Sequence, residues 1–121
     1  MNKEKLLQTL EKTTVNKSAV AAVESVYGKC SNPDVQKVIS ISVKPKHSKG
    51  WRVLSLNEVI NASKQLKVDF VKKKLIPMID LFDNDFVVYD LKNSCWKVFN
   101  IVEEIAFMQA KTLFELLEDG E

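Results

Sequence analysis

Apolar residues recur at helical spacing through the first part of the chain and gather into strand-like runs in the second. Segment 3–12 carries Leu6, Leu7 and Leu10 on one helical face. A second helix opens at Ser18, a good N-cap, and sets Val20, Val23, Val26 and Tyr27 on one side. Ala19, Ala21 and Ala22 favour helix there, and Gly28 suits its C-terminal end. In "SNPDVQKVISIS", Asn32 as N-cap, Pro33 at the first position and Asp34 in the first turn mark a helix start. Val35, Val38, Ile39 and Ser42 continue the helical period, while the β-branched residues leave a strand as the competing reading.

The stretch "VKPKHSKG" is polar and broken by Pro45 and Gly50, so it predicts an exposed loop. "WRVLS" predicts a short strand. Ser55 with Glu58 three residues later has capping-box spacing and predicts a helix through "NEVINASKQL", with Leu56, Val59 and Ile60 inward. "KVDFVKKK" is ambiguous. "KLIPMI" is strand-like, but Pro77 has no N–H for a ladder and demands an edge position or a bulge. "FVVYDL" and "CWKVFNI" are apolar on both faces, as covered central strands are, and "KNS" turns between them. A last helix is expected near 110–118, with Phe107, Ala110, Phe114 and Leu117 as its buried stripe. Helices first, strands late and one closing helix predict an α+β domain. Its central, largely antiparallel sheet is packed by N-terminal helices and one C-terminal helix.

At 121 residues and 45% hydrophobic, the chain is sized for a single domain with a proper core. No run approaches the ~18 apolar residues of a membrane span. The charged start "MNKEKLLQTLEK" lacks a signal peptide's apolar stretch, which predicts a cytoplasmic protein. Cys30 and Cys95 are far apart and outside any CxxC, so buried reduced thiols are expected. The net charge of +2 is unevenly spread. Residues 1–79 hold fifteen Lys/Arg and six Asp/Glu, whereas residues 80–121 hold three and ten. Such polarity either steers a charged partner or cancels where the halves interleave.

Asp83-Asn84-Asp85 raises the question of a metal site, with Asp80 and Asp90 nearby. A calcium loop needs alternating oxygen ligands, a central Gly and a closing Glu. Here the Gly is missing and apolar "FVVY" follows, so a turn between strands fits better. His47 stands alone in a Lys-rich loop, a poor setting for a general base. Gly28, Gly50 and Gly120 are isolated and form no phosphate-binding loop. Lys44, Lys46, Lys49 and Arg52 beside Trp51, and the run Lys72–Lys74, could hold single-stranded nucleic acid. The near-neutral total argues against it, and Trp51 and Trp96 suit a core better. No catalytic constellation is assembled, and neither metal nor cofactor is expected.

The order of segments resembles the SUKH superfamily, which groups bacterial immunity proteins with the yeast cell-wall-synthesis regulator. The resemblance covers roughly residues 18–119. It begins at "AVAAVESVYGKCSNPDVQKVIS", where Glu24, Tyr27, Gly28 and Pro33 occupy the places of the family's Glu, Tyr-Gly and helix-opening Pro. "GWRVLSLNEVINA" is similar to the family's strand running into a helix. "LIPMIDLFDNDFVVYDL" is similar to its hairpin, and "TLFELLED" to its closing helix. The usual Asn-Gly-Gly after the second helix is absent, and Asn84 stands where a Gly precedes the hairpin Asp.

What the resemblance implies is an α+β domain without catalytic activity. Its expected partner is a protein, typically a nuclease or deaminase toxin that it neutralises by binding. The family has no active site to carry over. An inhibitor of a nucleic-acid enzyme gains from carboxylates placed like phosphates. Asp80, Asp83, Asp85 and Asp90, with Glu103 and Glu104, are therefore the expected partner-facing residues. Strand alternation directs Asp90 away from the turn carboxylates, so the six need not form one patch. The rival expectations are a nucleic-acid-binding domain using the Lys-rich loops and a small metal-dependent hydrolase built on the acidic turn.

Overall fold

The computed structural model describes residues 3–119; Gly120 lies outside them. Three helices come first: α1 (Lys3–Lys12), α2 (Lys17–Tyr27) and α3 (Pro33–Ile41). The α1 period holds, with Leu6 and Leu10 buried and Leu7 packed against the core. The cap of α2 is Asn16 rather than Ser18, because the Asn16 side chain accepts the Ala19 N–H at 3.1 Å. The α3 signals are met: Asn32 accepts from Asp34 and Val35, Pro33 opens the helix, and Val35, Val38 and Ile39 are buried.

The residues behind the resemblance hold this region together. The Glu24 carboxylate accepts the Cys30 N–H at 2.8 Å, closing the loop after α2. Gly28, at φ +114°, ends α2 in a conformation that L side chains rarely adopt. The buried Tyr27 hydroxyl donates to the Val59 carbonyl at 2.6 Å, tying α2 to α4 (Leu56–Ile60). Burial pushes the Tyr27 pKa up to about 12.

Six strands form one antiparallel sheet in simple order, β1 to β6. The expected loop around His47 contains a minimal strand, β1 (His47–Ser48), paired with β2 (Trp51–Val53). The Ser55–Glu58 capping box forms with both of its bonds. The helix it starts, however, breaks into α4 and α5 (Ala62–Leu66). Asn61 lies at the break, its side chain turned back onto Asn57. Val59 is buried, while Leu56 and Ile60 are only half-buried. "KVDFVKKK" resolves to a short helix, α6 (Phe70–Lys73), capped by Asp69.

Strands β3 (Leu75–Asp80), β4 (Asp85–Asp90) and β5 (Cys95–Asn100) are the centre of the sheet. β3 is internal, and it accommodates Pro77 by a bulge: Pro77 faces Val88, Ile79 faces Val87, and Met78 is the extra residue. Both tryptophans are fully buried, so neither is a stacking platform for nucleic acid.

The C-terminal region departs from expectation. Residues 105–110 form a sixth strand, β6 (Ile105–Ala110), and the helix α7 begins only at Leu113 (Leu113–Asp119). Its buried residues are Leu113, Leu116 and Leu117, whereas Phe107 and Phe114 are exposed. The expected stripe failed because half of it lies on a strand. α7 packs on β5 and β6 and touches α1. Among the described residues no helix is long and apolar enough to cross a membrane.

Candidate functional site

Three successive strands end in a side chain that caps the turn after it. Asp80 accepts the Phe82 N–H at 2.8 Å. Asp90 accepts Lys92 and Asn93 N–H, both at 2.9 Å. Asn100 accepts Val102 at 3.0 Å and Glu103 at 2.9 Å. Such short polar side chains satisfy the amide groups a reversal leaves open. Each is followed by an apolar residue that packs back on the core: Leu81, Leu91 and Ile101.

The turns after β3 and β5 meet. The Ile101 N–H donates to the Asn84 carbonyl at 2.9 Å, and Asn100 Nδ2 donates to Asp85 Oδ1 at 2.9 Å. Between β3 and β4, Phe82, Asp83 and Asn84 all have positive φ, at 69°, 51° and 70°. Asp and Asn tolerate that region; a phenylalanine there is strained by about 1–3 kcal/mol. The strained Phe82 is also exposed, and Val102 on the neighbouring turn is 70% exposed. Asp83 and Glu103 stand exposed beside them. The two hydrogen-bonded turns thus expose apolar Phe82 and Val102 together with acidic Asp83, Glu103 and Glu104.

The six expected carboxylates divide. Asp83 and Glu103 are exposed on this surface. Glu104, the last residue of the turn before β6, is exposed at φ +56° and lies 3.7 Å from Lys73. Asp85 is half-buried and bound to Asn100. Asp80 belongs to an ion cluster: Arg52 holds Glu58 at 2.8 Å and Asp80 at 3.3 Å. Hydrogen bonding from Arg52, with help from Ser55, outweighs burial and keeps the Glu58 carboxyl below its usual range. Asp90 is at the opposite end of β4, 4% exposed, with Lys97 Nζ at 2.8 Å. Burial pushes its carboxyl up, but the hydrogen bonds from Lys97 and Asn93 outweigh that and hold it low. It is a structural residue and cannot face a partner.

The other candidates are dispersed. His47 is exposed on β1, four strands or roughly 19 Å from Cys95 on β5. Burial raises the pKa of both thiols, Cys30 and Cys95, which lowers the thiolate fraction a nucleophile needs. Among the described residues no three His, Cys, Asp or Glu side chains converge as a metal site.

The apolar members of the surface, Phe82 and Val102, were not among the expected residues. Their signal is the ten-residue recurrence of Asp80-Leu81, Asp90-Leu91 and Asn100-Ile101, which marks where each turn begins. Comparisons of the chain with protein-family models, with curated proteins and with solved structures return no significant match.

Proposed function

We infer that this chain is a non-enzymatic protein-binding module of the immunity type, which neutralises a toxin by direct contact. The observation that carries the reading is the paired-turn surface: exposed Phe82 and Val102 beside Asp83 and Glu103. Two apolar anchors among carboxylates suit a basic protein face better than a small polar substrate. Nuclease and deaminase toxins offer such a face, since they must attract phosphates. The side chains that chemistry would need are instead engaged in holding turns: Asp80 by Arg52, Asp85 by Asn100 and Asp90 by Lys97. The SUKH resemblance points the same way, and the α+β sheet with its flanking helices agrees with the architecture that family implies.

The test is expression in a toxin-sensitive host. Each large open reading frame flanking the gene is expressed with and without this chain, and growth is scored. Rescue by the wild-type chain is expected, as is weaker rescue by the Phe82→Ala, Asp83→Asn double variant. Failure of the folded chain to rescue against any flanking product removes the reading.

A further inference from the structure

The two edges of the sheet differ sharply. β1 is two residues long and bordered by Lys46 and Lys49. β6 is six residues long, and Ile105–Ala110 contains neither a charge nor a proline. Its Ile105 is 49% exposed and its Phe107 51% exposed. A long, uncharged, apolar edge offers open backbone groups to another strand. We propose that β6 pairs antiparallel with β6 of a second copy, making a two-fold dimer with one continuous sheet.

The register follows from a bulge. A two-fold axis perpendicular to a sheet preserves its faces, so each residue must oppose one from its own face. In the β5–β6 ladder, Val98 faces Met108 and Phe99 faces Ala106, leaving Phe107 as the extra residue. The alternation of β6 therefore shifts by one at its middle. Ile105 and Ala110, opposite Asn100 and Trp96, share one face. Ala106 and Gln109, opposite Phe99 and Lys97, share the other. A self-pairing of Ile105 with Ala110 and Ala106 with Gln109 then matches faces throughout, with the axis between Phe107 and Met108. A bulge by itself raises twist and works against edge pairing; in this strand it is also what makes the strand self-complementary.

That register sets Glu104 opposite Lys111 of the second copy, twice per dimer. Lys111 is exposed, and among the described residues the ion-pair contact of Glu104 is the long one of 3.7 Å to Lys73. At the centre, Phe107 meets Met108 of the other copy. In each copy these two line an apolar groove of about 310 Å³ with Leu116 and Leu117 of α7. The apolar row of one copy thus continues into the other, closed at each end by an ion pair. Glu104 is the last residue of the β5–β6 turn, so the dimer borders the paired-turn surface at that point, but its argument does not depend on the toxin reading.

The experiment is sedimentation equilibrium of the full chain across a concentration series, with circular dichroism to confirm folding. The wild type is expected to dimerise. Glu104→Lys and Lys111→Glu should each weaken the dimer roughly tenfold, because like charges then face each other at both ends. The double variant carrying both changes should return to wild-type affinity. Phe107→Lys, at an exposed position, should give a monomer. A wild type that stays monomeric into the millimolar range overturns the proposal. So does a dimer that ignores both single reversals, or one that the double reversal fails to restore.

Discussion

β4 begins and ends beside an aspartate-bearing turn, and the two turns have opposite fates. Asp90, at one end, is buried among donors: two backbone N–H groups, the Asn93 amide and Lys97. Asp83, at the other, is exposed at φ +51°. Both residues are suited to reversals. The difference lies in what surrounds each carboxylate. Where donors converge, the charge is fastened into the fold; at Asp83 it stays exposed to solvent. The ion pair of the buried aspartate makes it a matter of stability, and the exposure of its counterpart leaves that carboxylate open to the contact proposed above.

The largest expected effect breaks the buried side of this contrast. Asp90→Ala leaves Lys97 and the turn amides without their acceptor, and should cost about 3 kcal/mol, at the low end for a broken buried pair because Lys97 reaches water. Urea unfolding reads it. A loss no greater than that of Asp83→Ala would erase the distinction between the turns.

Acid should act through the same group. The folded pKa values of Asp90 and Glu58 are depressed, so their stabilisation is present above the unfolded carboxyl range of about 4. It is lost as pH falls through the lower folded values, because the unfolded chain then binds the protons first. Stability against pH should therefore fall on the acid side. Asp90→Asn, which cannot titrate, should have a shallower acid limb than the wild type.

Asn100 lies between the extremes. Asn100→Ala removes the acceptor for Val102 and Glu103 and frees Asp85, which should cost about 1 kcal/mol. Hydrogen exchange at the Val102 and Glu103 amides should quicken more than at the β4 core. The smallest effect is at Asp83: Asp83→Asn should change stability by less than about 0.5 kcal/mol while weakening the toxin neutralisation we propose. A stability loss comparable to that at Asp90 would move Asp83 to the structural side.

Much of the architecture was legible because it rests on local rules. Asn32-Pro33-Asp34, the Ser55–Glu58 box and the demand that Pro77 places on β3 each act within a few residues, and all three operate in the fold. The C-terminal strand was not legible. "IAFMQA" has helical formers and an apolar residue at a spacing that also suits α7, and a bulge disrupts the alternation that would have marked it as β. Of the candidate surface, the turn carboxylates could be named, but their division could not. Nothing local tells Asp90 from Asp83; that depends on Lys97 reaching across from β5 and on the positive-φ run that lifts Phe82 out. Phe82 itself reads as a core residue until its backbone is seen.

The shortness of β1 limits how the molecule can propagate. Two residues between lysines give a third strand almost nothing to add to, so growth of the sheet is possible on one side only. A chain that can be extended at a single edge cannot polymerise. Pairing through β6 would therefore close the array at two copies instead of lengthening it into a fibre.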